Sequence, residues 1–122
     1  MPQRNNNITI ISSVAPYASL APIEAINAGF AAAAFDHEVA FLFINDGVFQ
    51  LCNDQDAAIL NQKTIGKVLG AASLYGIEKI YACKNSLEER GLNKENLILL
   101  PALLGAEEIH QVISDGSTLL SF

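Results

Sequence analysis

The run Val39–Ile44 (VAFLFI) carries no polar side chain and does not alternate. A strand of this kind must be covered on both faces, which is the situation of a parallel sheet sandwiched between helices. The rest of the chain agrees. Ile8–Ser12 (ITIIS) is a short buried strand, Ile77, Ile80 and Tyr81 supply a third, Leu97–Leu100 (LILL) a fourth that Pro101 terminates, and Ser117–Phe122 a fifth at the sheet edge. Helical spacing fills the gaps. Ser19 caps a helix with Pro22 in its first turn and Ile23, Ile26, Phe30 and Ala33 on one face. A second helix starts near Asn61, with Ile65, Val68, Leu69 and Ala72 inward, and ends at Gly76. Its Gly66 and Gly70 imply close approach to the sheet or to another chain. A last helix runs near Ala106–Ile113. Strands alternating with helices predict an α/β fold: a three-layer α/β/α sandwich around a mostly parallel five-stranded sheet, in one domain over residues 1–122.

Composition sets the surface problem. Apolar types reach 51% of the 122 residues and charged types only 16%, against about 25% charged in an average soluble domain. A domain this small cannot hide that surplus, so subunit interfaces are expected. The segment Val48, Phe49 and Leu51 after the Asp46-Gly47 turn is read as an interface patch, with a loop folded back on its own core as the alternative. No apolar run approaches the ~20 residues of a spanning helix, and the start (Pro2, Gln3, Arg4) lacks a signal-peptide core, so no membrane association is expected. Thirteen acidic residues against seven basic ones give a formal charge of −6, which disfavours direct nucleic-acid binding. Cys52 and Cys83 form no C-x-x-C pair and have no histidine at ligand spacing, so neither metal nor disulfide is expected, and a reducing cytoplasm fits.

The chemistry-bearing stretch is Gly76–Leu92, GIEKIYACKNSLEERGL. It reads as a strand running into a capped helix, with Asn85 as N-cap, Glu88 completing a capping box and Gly91 as the stop. That places Cys83 before helix-terminal amides, whose partial positive charge favours a thiolate; Lys84 adds to this, while Glu88 and Glu89 compete. A small apolar filler at the end of a buried strand is the other reading. In a parallel sheet, ligands and reactive groups gather at the carboxyl ends of the strands. Three segments should meet there: Ser12, Ser13, Pro16 and Tyr17 after strand one, Asn45, Asp46 and Gly47 after strand two, and Cys83 with Asn85 after strand three. No base joins them. His37 precedes strand two at the opposite end and His110 lies on the last helix, both expected at the surface. A cysteine without a base suits sulfur transfer better than hydrolysis, since transfer needs only a thiolate, a leaving thiol and access. Asp46 either makes its turn or orients a partner. Cys52 is taken as incidental. Nucleotide binding is disfavoured, because no glycine-rich phosphate loop follows strand one.

The same residues carry a resemblance. Cys83 followed by a short helix ending in Arg90, Gly91 and Leu92 resembles the DsrE/DsrF sulfur-relay superfamily, and Asp46-Gly47-Val48-Phe49-Gln50-Leu51 resembles a hallmark of its TusC/DsrF branch. The resemblance implies a subunit of a cytoplasmic sulfur relay built as a heteromer, with TusB/TusD-like or DsrE/DsrH-like chains as partners and no cofactor. It implies Cys83 as candidate persulfide carrier, in a relay toward 2-thiolation of the tRNA wobble uridine or, in the DsrF branch, toward sulfur oxidation. A purely structural subunit is the remaining alternative.

Overall fold

The computed structural model describes residues 7–16, 19–52, 62–116 and 118–122. Its sheet holds five strands in the order β4-β3-β2-β1-β5: β1 Asn7–Ser12, β2 Glu38–Phe43, β3 Lys79–Cys83, β4 Ala102–Leu104 and β5 Thr118–Ser121. All four pairings are parallel, with Ser12 opposite Phe43, Phe43 opposite Ala82 and Cys83 opposite Leu104. These residues therefore share the carboxyl edge. The helices are α1 Ala21–Ala34, α2 Gln62–Gly70, α3 Lys84–Glu89 and α4 Ala106–Asp115.

The uniformly apolar β2 is buried from Val39 through Phe43, as a strand covered on both faces must be. On one face Ile10, Val39, Phe41, Phe43, Ile80 and Ala82 pack against Ala25 and Ile26 of α1 and Ile65 and Leu69 of α2. On the other, Thr9, Ala40 and Leu42 are buried, and α4 borders a cavity on this side, where Val112 faces the same space as Thr9, Ala40 and Tyr81. That second cover is thin. No residue of α4 is fully buried, and β5 leaves Leu119 44% and Leu120 36% exposed. Leu20, Phe35, Leu74, Tyr75 and Leu100 are also exposed, with Tyr75 stacked on Phe30 at 4.4 Å. The apolar surplus thus lies here and not at residues 48–51.

Several expectations need correction. Leu97–Leu100 is not a strand: Leu97 makes a single antiparallel bridge to Cys52, Leu99 and Leu100 take φ of 68° and 45°, and β4 begins after Pro101. Proline lacks a donor, which is harmless just ahead of an edge strand, so Pro101 precedes the strand it was expected to end. β3 runs two residues later than its apolar residues suggested, because Ile77 is buried in the connection before it. Ser19 does receive the Ala21 N–H (3.0 Å), though the helical boundary residue is Leu20. The inner line of α1 is Pro22, Ala25, Ile26 and Gly29, with Ile23 and Phe30 at its margin. Close approach occurs at Gly29, where a Cβ would run into the Phe41 ring, whereas among the described residues a Cβ at Gly66 would meet Ile98 at ordinary contact distance and one at Gly70 would meet none. Tyr17, Asn61 and the connector Asn53–Asp56 lie outside the described residues.

Val48 and Leu51 have no solvent exposure, Gln50 has 1%, and Phe49 is half-buried. The interface-patch reading of this segment is therefore wrong and its alternative is right. Asn45–Leu51 forms a 3₁₀ helix pressed into the core, and Gly47 makes that possible: a Cβ there would collide with the Ser12 carbonyl. Bare backbone is needed for so close an approach.

Candidate functional site

Cys83 ends β3 and is itself the N-cap of α3, its Sγ accepting the Ser86 N–H at 3.4 Å. The expected capping box on Asn85 and Glu88 does not form. The physical reason is position: Cys83 is the last extended residue (φ −72°, ψ 118°), so N3 is Ser86, and Asn85 is already inside the helix. Asn85 and Glu88 are both exposed. The helix stops as expected. Gly91 takes φ 69°, its N–H reaching the Glu88 carbonyl (3.2 Å) and the Leu92 N–H the Leu87 carbonyl (2.9 Å), a Schellman closure that a residue with a Cβ would strain.

A six-residue helix has little stability of its own, so tertiary contacts must hold it. Leu87 is buried in the core. Ser86 does the remainder, and it is 4% exposed. Its Oγ accepts the Asn45 N–H at 2.8 Å, its N–H faces Cys83 Sγ, and its carbonyl accepts from Arg90 Nη1 at 3.1 Å. Arg90 Nε in turn donates to Asp46 Oδ1 at 3.0 Å, and Nη1 lies 3.5 Å from Glu89. The Arg90 side chain is 20% exposed. Asn45 reaches Ser86 from a left-handed φ of 51°, a conformation that costs a non-glycine residue free energy and that asparagine tolerates better than most. Asp46 therefore has a role beyond its turn.

The loop after β1 joins through Gln50, whose Nε2 donates to Ser12 Oγ (2.8 Å) and the Val14 carbonyl (3.0 Å). Ser13 binds the chain end instead, its N–H and Oγ both donating to the Phe122 carbonyl at 3.1 Å. The three segments expected at the carboxyl edge do meet there, with Cys83 half-buried among them. Cys52 follows the 3₁₀ helix and forms an antiparallel bridge with Leu97. His110 is exposed on α4; His37 precedes β2 at the amino end and is half-buried, with Nδ1 enclosed and unpartnered. Among the described residues no three His, Cys, Asp or Glu side chains are grouped to hold a metal, and no helix is long and apolar enough to cross a membrane.

The sequence pointed to Cys83 and to the turn at Asn45–Gly47, but not to Ser86 or Gln50 as the residues that tie them together. One local signal existed: Ser86 stands three residues after Cys83, which is cap-to-N3 spacing. Fold and site together define a parallel α/β protein with a half-buried, amide-capped thiol at the carboxyl edge of its sheet.

A sequence model of the DsrE/DsrF-like family matches residues 6–122, and the chain belongs to that family. It is 32% identical over 117 residues to a TusC homologue of Vibrio parahaemolyticus, covering 96% of this chain and 99% of that one. It is 34% identical over 109 residues to a TusC homologue of Pseudomonas aeruginosa, covering 89% and 92%. The intracellular sulfur oxidation protein DsrF of Allochromatium vinosum is 36% identical over 84 residues, covering 69% of this chain and 62% of that protein. In structure the chain is similar to the ychN protein of E. coli, with a TM-score of 0.78, 18% identity and coverage of 95% and 98%.

Proposed function

We propose that this chain is a TusC-like subunit of a multi-subunit sulfur relay, in which Cys83 accepts sulfur from a persulfide on a partner. The observation that carries the reading is the placement of Cys83: half-buried at the carboxyl edge, with the Ser86 backbone N–H on its sulfur. Similarity to TusC homologues along nearly the whole chain supports the same assignment. Transfer of this kind is balanced by the two sulfur centres alone. The Cys83 thiolate attacks the outer sulfur of the partner's persulfide, a new S–S bond forms, the partner's S–S bond breaks, and the partner leaves as a thiolate. The proton given up by Cys83 beforehand goes to solvent, and no oxidant is consumed. The downstream acceptor in this reading is the path to 2-thiolation of the tRNA wobble uridine, in the cytoplasm. The chain acts there as one domain beside related TusB/TusD-like subunits.

A second reading has its own support. Leu119, Leu120, Leu74, Phe35 and Leu100 are exposed, which suits a subunit whose main work is assembly. Incubation with a persulfide donor separates the two. The wild-type chain should gain about the mass of one sulfur on the Cys83 peptide, and Cys83→Ser should not. No gain under conditions that load a DsrE-like partner subunit leaves only the assembly role. A chain that stays monomeric with those partners at micromolar concentration contradicts that role too.

A further inference from the structure

We infer that Arg90 is a positioning residue for the Cys83 sulfur, acting through Ser86 with Asp46 as its anchor. The inference deepens the reading of Cys83 as a sulfur acceptor and rests on it for its biological meaning, though the geometry stands independently. Ser86 is gripped at three polar atoms. Its N–H points at Cys83 Sγ (3.4 Å), its Oγ takes the Asn45 N–H (2.8 Å), and its carbonyl takes Arg90 Nη1 (3.1 Å). Two of those grips originate in consecutive residues of one turn, Asn45 directly and Asp46 by way of Arg90. The guanidinium thus ties the start of α3 to the turn after β2, across 44 positions of sequence.

A single exposed ion pair would carry little weight. Here the Arg90 side chain is only 20% exposed and also satisfies a carbonyl of a helix too short to persist alone. A flat fork of donors can hold carboxylate and carbonyl together. When that hold is lost, the first turn of α3 loosens and the Ser86 N–H no longer stays on the sulfur.

The test is the rate at which iodoacetamide alkylates Cys83 in the full chain, read at the Cys83 peptide by mass spectrometry, together with hydrogen exchange of the Ser86 amide. Arg90→Met should slow alkylation and speed Ser86 exchange, each by about three- to tenfold, the change expected from losing one hydrogen bond. Arg90→Lys, which keeps a donor, should recover most of both. Wild-type alkylation and exchange in folded Arg90→Met overturn the inference, as does faster alkylation. Should Arg90→Met fail to fold, Asp46→Asn takes its place, with smaller changes of the same sign expected and unchanged values overturning it. Alkylation needs no sulfur donor. A Cys83 that never loads sulfur but responds to Arg90→Met ends the relay reading and leaves this one intact; the converse result ends this one alone.

Discussion

Leu51→Ala tests whether the Asn45–Leu51 segment belongs to the core or to a surface for partners. Leu51 is fully buried in a cluster with Phe43, Val48, Leu69 and Leu97. Its backbone is pinned as well, since its carbonyl accepts the Ile98 N–H at 2.7 Å. The walls are therefore poorly placed to collapse into the space left behind. Leucine-to-alanine truncations in such sites cost about 2–5 kcal/mol, and a pinned backbone argues for roughly 3–4 kcal/mol. With an m-value of about 1.5 kcal/mol per molar in urea, the unfolding midpoint should fall by about 2 M while the slope stays constant. Running the titration at two protein concentrations separates folding from association, because an oligomer's stability depends on concentration. A midpoint within about 0.3 M of wild type, combined with lost association, would refute the core placement and restore the interface reading.

Two further substitutions probe the backbone near the site. Gly47→Ala should destabilise by about 1–3 kcal/mol, as overpacking does, because its Cβ meets the Ser12 carbonyl, which is backbone and cannot swing aside; unchanged thermal unfolding would show that approach to be looser. Leu100→Asn should raise stability by about 0.5–1 kcal/mol, since Leu100 is 88% exposed and held at φ 45°, a region asparagine enters at lower cost; a lower unfolding midpoint would mean that the side chain makes contacts its exposure does not suggest.

Much of the fold was legible because its signals are local. An apolar run without alternation, as in Val39–Phe43, requires cover on both faces, and period-3.6 spacing followed by Gly76 or Gly91 marks helices and their ends. The carboxyl edge followed from those strands, and with it the meeting of the Ser12 loop, the Asn45 turn and Cys83. The errors arose where a local pattern admitted two outcomes. Pro101 is compatible with the end of one strand or the approach to another. Asparagine is a favoured cap, which pointed to Asn85, but β3 ends at Cys83 and makes that residue the cap instead. Val48 and Leu51 have the same apolar character whether they face a partner or their own core.

Sequence alone determined the layering, the parallel strands and the single cysteine at a strand end, because hydrophobic period and turn chemistry act within a few residues of each other. Only the tertiary structure decided that Gly47 lets the turn fold inward and that Ser86, Asn45, Asp46 and Arg90 interlock beside the thiol. Those contacts join residues 41 and 44 positions apart, and their geometry exists only once β2 and β3 lie side by side. It also decided where the apolar surplus faces solvent, since the thin cover of α4 and the open β5 edge depend on packing that no short stretch of chain encodes.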